Sequence, residues 1–279
     1  MREYPERVRS VVLNAAVPLG WPFLGDMMPN AAASLENALR LCAEDDACNA
    51  AYGELESRFF ALLEQLNREP VTVPVASPVD GETVDLVING DRVSTWLFST
   101  MYANTQVPAT IGRFLEGNFE ELQKSPHLFF PMTRFTYGLS YSIFGSEAMG
   151  YTLDDTTVPG PYAAFTDGCA MFFGPRLQAL AQEFWKVEPL GPAKRQALHS
   201  DIPTLILNGE LDHVIPARHV EEAVGRLTNG HLFLFGGVAH SPVDYGDCAL
   251  GMLLRFFADP SKAPDGACVA EFKHELKTE

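Results

Sequence analysis

Two short turns in the last third of this 279-residue chain carry side chains suited to moving a proton. Gly209-Glu-Leu-Asp212 supplies a carboxylate, and Gly236-Gly-Val-Ala-His240 an imidazole. A carboxylate that accepts the imidazole Nδ1–H fixes the tautomer and stabilises the imidazolium. The other ring nitrogen is then left to act as general base and afterwards as general acid. Each residue alone has a plainer reading, a turn-forming Asp bonded to its own backbone and a histidine in a loop. Their placement on the chain is what favours the pair.

That placement comes from the elements around them. Pro203 to Asn208 predicts a strand, Pro216 to Leu227 a helix with proline in its first turn, His231 to Phe235 a second strand, and Cys248 to Phe257 a closing helix. Strand, helix, strand, helix is a doubly wound α/β unit. In a parallel sheet both turns emerge at the carboxyl edge, where ligands and catalytic groups collect. His213 is expected to be a surface neighbour of the acid, His219 and Glu222 an exposed pair on the helix, and Glu210 solvated.

Upstream the pattern differs. Val8-Arg-Ser-Val-Val-Leu13 predicts a buried parallel strand, although no helix precedes it and such a strand needs neighbours on both sides. Helical spacing covers Ala33 to Asn49 and Tyr52 to Asn67, with Leu55, Phe59, Leu62, Leu63 and Leu66 on one face. Val71–Val75 and Thr83–Ile88 flank Asp80-Gly81 as a hairpin. Short helical stretches follow from Ser94 to Phe144, then a loop over 150–168 around Pro159-Gly-Pro161, then a helix from Cys169 to Trp185. The aromatic residues between Trp96 and Phe173 suit either an apolar substrate pocket or ordinary core packing.

Composition excludes several partners. A formal charge of −16 argues against nucleic acid, which requires Lys and Arg clusters. No apolar run approaches the roughly 20 residues that span a bilayer, and Met1-Arg-Glu-Tyr-Pro-Glu-Arg has no signal-peptide h-region. The five cysteines lack metal-site spacing. Cys42 with Cys48 and Cys248 with Cys268 are candidate disulfides with Cys169 left over, which would place the protein outside the cytosol; five reduced cysteines are the alternative.

At the two turns the chain resembles a known group. Asn208-Gly-Glu-Leu-Asp-His-Val-Ile-Pro216 resembles the acid turn of α/β-hydrolases, Gly236 to His240 their closing histidine loop, and Tyr4 to Leu13 the strand after the nucleophile elbow helix. The cysteines narrow this to the prolyl and tripeptidyl aminopeptidase-like serine exopeptidases, whose back half to two-thirds the chain is similar to. The resemblance implies an α/β fold: an incomplete α/β-hydrolase sheet built from residues 1–30 and 196–279, with a mostly helical cap and a hairpin over 31–195. It implies Asp212 and His240 as catalytic residues, no cofactor or metal, a short peptide substrate in the complete enzyme, and a secreted or periplasmic setting.

The same resemblance exposes departures. The G-x-S-x-G nucleophile turn belongs upstream of the opening strand, so the chain is expected to lack its serine and to be inactive alone. Gly138-Leu-Ser-Tyr-Ser142 lacks the second glycine, and neither Ser140 nor Ser142 is taken as nucleophile. Ser142-Ile-Phe-Gly-Ser-Glu147 resembles a family Cys-x-Glu segment with Gly145 in the cysteine's place and Ala181 near its partner's, which implies a lost third disulfide. Glu147 is the candidate carboxylate for a substrate ammonium. The open edge of the first strand is expected to promote self-association. A non-catalytic relative that binds peptides or a partner is the competing reading.

Overall fold

The computed structural model describes residues 1–77, 79–125, 136–147, 156–169 and 175–273. Along the chain these form β1 (Val11–Asn14), α1 (Phe23–Glu44), α2 (Asp46–Tyr52), α3 (Leu55–Arg68), β2 (Val71–Ala76), β3 (Thr83–Ile88), α4 (Gly90–Thr100), α5 (Val107–Leu115) and α6 (Glu120–Lys124). There follow α7 (Tyr137–Glu147), α8 (Tyr162–Cys169), α9 (Pro175–Phe184), α10 (Pro192–Arg195), β4 (Thr204–Gly209), α11 (Ala217–Val224), β5 (Gly230–Phe235) and α12 (Asp247–Ala258). The fold is α/β. Contacts divide the described residues into two units, one of Met1–Phe23, Tyr102–Thr105 and residues 190–273, the other drawn from Leu24–Met101 and Gln106–Pro189.

The first unit is built on a parallel sheet in the order β1-β4-β5, with Val11 opposite Thr204 and Thr204 opposite Gly230. Every residue of β4 is buried, as a central parallel strand covered on both faces requires. Side chains alternate between the faces. Leu205, Leu207 and Phe235 join Ala249, Met252 and Phe256 of α12 in one core, with Val12 and Phe233 packed against it. Leu13 and Ile206 look the other way, toward Val220 of α11, and line an apolar cavity of about 280 Å³ with Leu227. A disulfide between Cys248 and Cys268, Cα atoms 5.9 Å apart, pins the tail against the α12 core. β1 starts three residues after the predicted Val8, ends one residue beyond Leu13 and is only partly buried, with β4 as its one neighbour among the described residues.

The second unit is helical apart from the antiparallel β2–β3 hairpin, in which Val71 faces Ile88 and Gly81 takes φ +80° in the turn. Its first helix starts ahead of the predicted Ala33: buried Leu24, Met27, Met28, Ala31 and Leu35 continue the helical stripe, and Pro29 is accommodated inside it. It also ends early. Asp45 accepts a hydrogen bond from the Cys48 amide at 2.8 Å and caps α2, so one expected helix is two, bridged by the Cys42–Cys48 disulfide. The expected loop over 150–168 gives way to α8, which starts just after Pro161 and lies against α4. There Gly168 permits the contact, since a Cβ would come within 2.8 Å of the Asp91 Cα, and Thr95 Oγ1 donates to the Gly168 carbonyl at 3.0 Å. The start of the expected loop and residues 170–174 of the expected helix fall outside the described residues.

Trp96, Phe98, Phe114, Phe119 and Phe165 are buried in this unit, which favours core packing over a pocket for those aromatics. Other aromatics of that stretch, such as Phe129 and Phe172, lie outside the described residues.

Candidate active site

Asp212 follows β4 directly, in a turn stitched to the β5 end: Glu210 N donates to the Phe235 carbonyl and Leu211 N to the Val238 carbonyl, both at 3.0 Å. The Asp212 side chain is fully buried. Its Oδ1 accepts from the amides of Val214 and Ile215, each at 2.8 Å. Its Oδ2 lies 2.9 Å from His240 Nδ1. A buried carboxylate with three donors is satisfied and held in one orientation. Beneath it, Asn208 Nδ2 donates to the Ile215 carbonyl at 2.8 Å and steadies the same turn.

His240 reaches Asp212 because the two loops touch. A Cβ on Gly209 would stand 1.7 Å from the Ala239 carbonyl oxygen, so only glycine lets the end of β4 come this close to the histidine loop. Gly237 turns that loop with φ +67°. The carboxylate acceptor sets Nδ1 as the protonated nitrogen. Nε2 is then free to take up or release a proton, on a side chain about a quarter exposed.

Three further side chains surround the pair. The Tyr102 ring stands perpendicular to both imidazoles, 4.8 Å from His213 and 5.1 Å from His240 between centroids. Burial, reinforced by the Asp212 charge, pushes the Tyr102 phenol up to about 12. The Tyr245 hydroxyl donates to the Tyr102 carbonyl and ties it to the segment after the histidine. Asn14, the last residue of β1, donates from Nδ2 to Ser241 Oγ at 2.6 Å.

His213 is not the surface neighbour expected. It is 1 % exposed, and burial first, the His240 charge second, lowers its pKa to about 3. A neutral imidazole packs there as an aromatic body under Tyr102. His219 is likewise not exposed: it is half-buried and stacked on Trp21 with ring centroids 3.9 Å apart, while Glu222 is exposed and pairs with Arg226. Glu210 is exposed, as expected.

The remaining candidates sit in the helical unit. Glu147 ends α7 and is exposed. Ser140 and Ser142 lie within α7 rather than at a strand-to-helix turn, and Ser142 Oγ donates to the Gly138 carbonyl at 2.8 Å while accepting from Trp185 Nε1. Gly145 is buried against Gln182, next to the buried Ala181, and Cys169 is a buried thiol outside either disulfide. Among the described residues there is no cluster of three or more metal-ligating side chains, and no helix is long and apolar enough to cross a membrane.

Residues 171–268 match a family model described as TAP-like protein. Over this segment the chain is similar to the C-terminal portion of TAP-like α/β-hydrolases. The TAP-like segment contains β4, β5, both turns with Asp212 and His240, and the Cys248–Cys268 disulfide. Asn14, Tyr102 and Glu147 precede it. No curated protein matches the chain.

Asn14 and Tyr102 were not singled out from the sequence. Asn14 carried a usable signal, a polar residue closing an apolar strand at the carboxyl edge. Met101-Tyr-Ala-Asn-Thr-Gln106 carries none, because its place beside the pair is a tertiary fact.

Proposed function

We propose that Asp212 and His240 are the acid and the general base of a serine hydrolase of the aminopeptidase type. It would cleave peptide bonds near a free N-terminus, with the nucleophilic serine carried by polypeptide outside these 279 residues. His240 Nε2 would take the hydroxyl proton as the serine oxygen attacks the scissile carbonyl, then deliver it to the departing amine. Asp212 would hold the imidazole and stabilise its charged form. The helical stretch would act as a cap that admits short peptides, with Glu147 as a candidate partner for the substrate ammonium. No cofactor enters this chemistry.

The observation that carries the reading is the 2.9 Å approach of Asp212 Oδ2 to His240 Nδ1, at the ends of adjacent parallel strands, inside TAP-like sequence. The sequence order Asp then His after successive strands supports it too.

A fluorophosphonate probe with a peptidyl-aminomethylcoumarin substrate tests it. The 279-residue chain alone should neither label nor turn over substrate. Joined to polypeptide bearing a G-x-S-x-G turn encoded directly upstream, it should do both, and His240→Ala should abolish both. Stoichiometric labelling of the 279-residue chain alone, or activity of the joined form that survives His240→Ala, would overturn the assignment.

A further inference from the structure

We infer that Asn14 is a positioning residue for His240, holding the histidine loop from the far side of the sheet. β4 lies between β1 and β5, so a side chain on β1 must reach across the middle strand to touch the loop that follows β5. Asn14 does so with both ends of its amide. Nδ2 donates to Ser241 Oγ at 2.6 Å, and Oδ1 receives the Val243 amide at 3.4 Å.

What it holds is a strained turn. Ser241, the residue after His240, has φ +59° and ψ +70°, a left-handed conformation that a side chain disfavours. Such strain persists where surrounding contacts over-determine it, and it gathers at sites of function. The Asp244 amide closes the turn onto the Ser241 carbonyl at 3.0 Å, and the Asn14 amide supplies the side-chain anchor. Asn14 itself is fixed by the sheet: it pairs with Leu207, and the next amide, Ala15 N, donates to the Leu207 carbonyl at 2.9 Å. Besides the Leu211 amide on the Val238 carbonyl, the loop bearing the imidazole is therefore held by Asp212 at the ring and by Asn14 one residue beyond.

The inference rests on the proposed function only for what the imidazole does; its geometry can be read without a nucleophile. In the full 279-residue chain with ¹⁵N-labelled histidine, His240 should show the separated nitrogen shifts of a single Nδ1–H tautomer. Asn14→Ala should draw the two shifts together, and the Val243 amide should exchange with solvent about fivefold faster, the loss of one hydrogen bond. Asn14→Asp, which can accept from both the Ser241 hydroxyl and the Val243 amide, should restore both readouts. A general structural role would lower the melting temperature without this split between Ala and Asp. Should Asn14→Ala not fold, Ser241→Gly suits the backbone and removes only the anchored hydroxyl; the same loosening supports the inference, and unchanged readouts overturn it. A single tautomer in Asn14→Ala also overturns it, leaving the proposed function standing. A wild-type chain with no Nδ1–H tautomer sinks the Asp212–His240 pair, and the inference with it.

Discussion

Tyr102 meets His240 edge to face, ring centroids 5.1 Å apart and planes at 88°, although the two belong to distant parts of the sequence. The same ring covers His213 at 89°, so one phenol walls both imidazoles. Removing the ring should free them; removing only the hydroxyl should not. Tyr102→Ala should abolish the ring-current shift on the carbon-bound imidazole protons of His213 and His240, while Tyr102→Phe keeps it. Proton NMR of the three chains decides this.

Buried neutral His213 makes stability depend on pH. Its folded-state pKa of about 3 lies below the ordinary 6.5. Between those values the unfolded chain binds a proton that the folded chain refuses, so stability rises with pH across that window and is complete above it. On acidification from neutrality, urea-unfolding free energies should fall by about 1.4 kcal/mol per pH unit below about 6.5. His213→Leu should flatten that part of the curve.

Asp212 should matter for the fold as well as the chemistry. Asp212→Ala strands the Val214 and Ile215 amides in a buried turn. The expected loss is about 2–4 kcal/mol in denaturant unfolding, from two orphaned donors. Asp212→Asn keeps an acceptor for them and should cost clearly less.

The covalent staple at the C-terminal side can be cut independently. Cys248 and Cys268 close a 20-residue separation. Reducing that bridge, or replacing Cys268 by Ser, should lower stability by about 3 kcal/mol on loop-entropy grounds. Thermal melts with and without reductant would show it, and a Cys42→Ser chain separates this contribution from the shorter bridge.

The side of β1 away from β4, unpaired among the described residues, should make the 279-residue chain self-associate. Copies that each carry −16 repel at low ionic strength. In 1 M salt the screening length falls to about 3 Å, and association should increase. Sedimentation across salt and protein concentration tests this; a monodisperse monomer throughout would rule it out.

Much of the first unit was readable because its signals are local and agree. An apolar run such as Thr204 to Leu207 bounded by Pro203 and Gly209 reads as a buried strand, and the polar residues after it fall at the carboxyl edge. The Asp212–His240 contact followed from that topology. His213 was misjudged because burial depends on what lies above a residue, and the cover is Tyr102, from a segment with no distinguishing pattern. The break between α1 and α2 was missed because Asp45 reads equally as a helix-surface residue and as a cap; its bond to the Cys48 amide settles it. Pro161 belongs to the expected loop yet stands just before the start of a helix, because proline fits a helix's first turn.

Pairing Val11 with Thr204 also imposes an order of events during synthesis. At typical elongation rates, β4 leaves the ribosome roughly 10–40 s after β1. For that interval the nascent Val11-Val-Leu13 lacks its β4 partner, while the helices encoded between can already collapse on one another. A chaperone that shields short apolar stretches would therefore act most usefully between the emergence of β1 and that of β4, and the loops bearing Asp212 and His240 can meet only after β5 has followed.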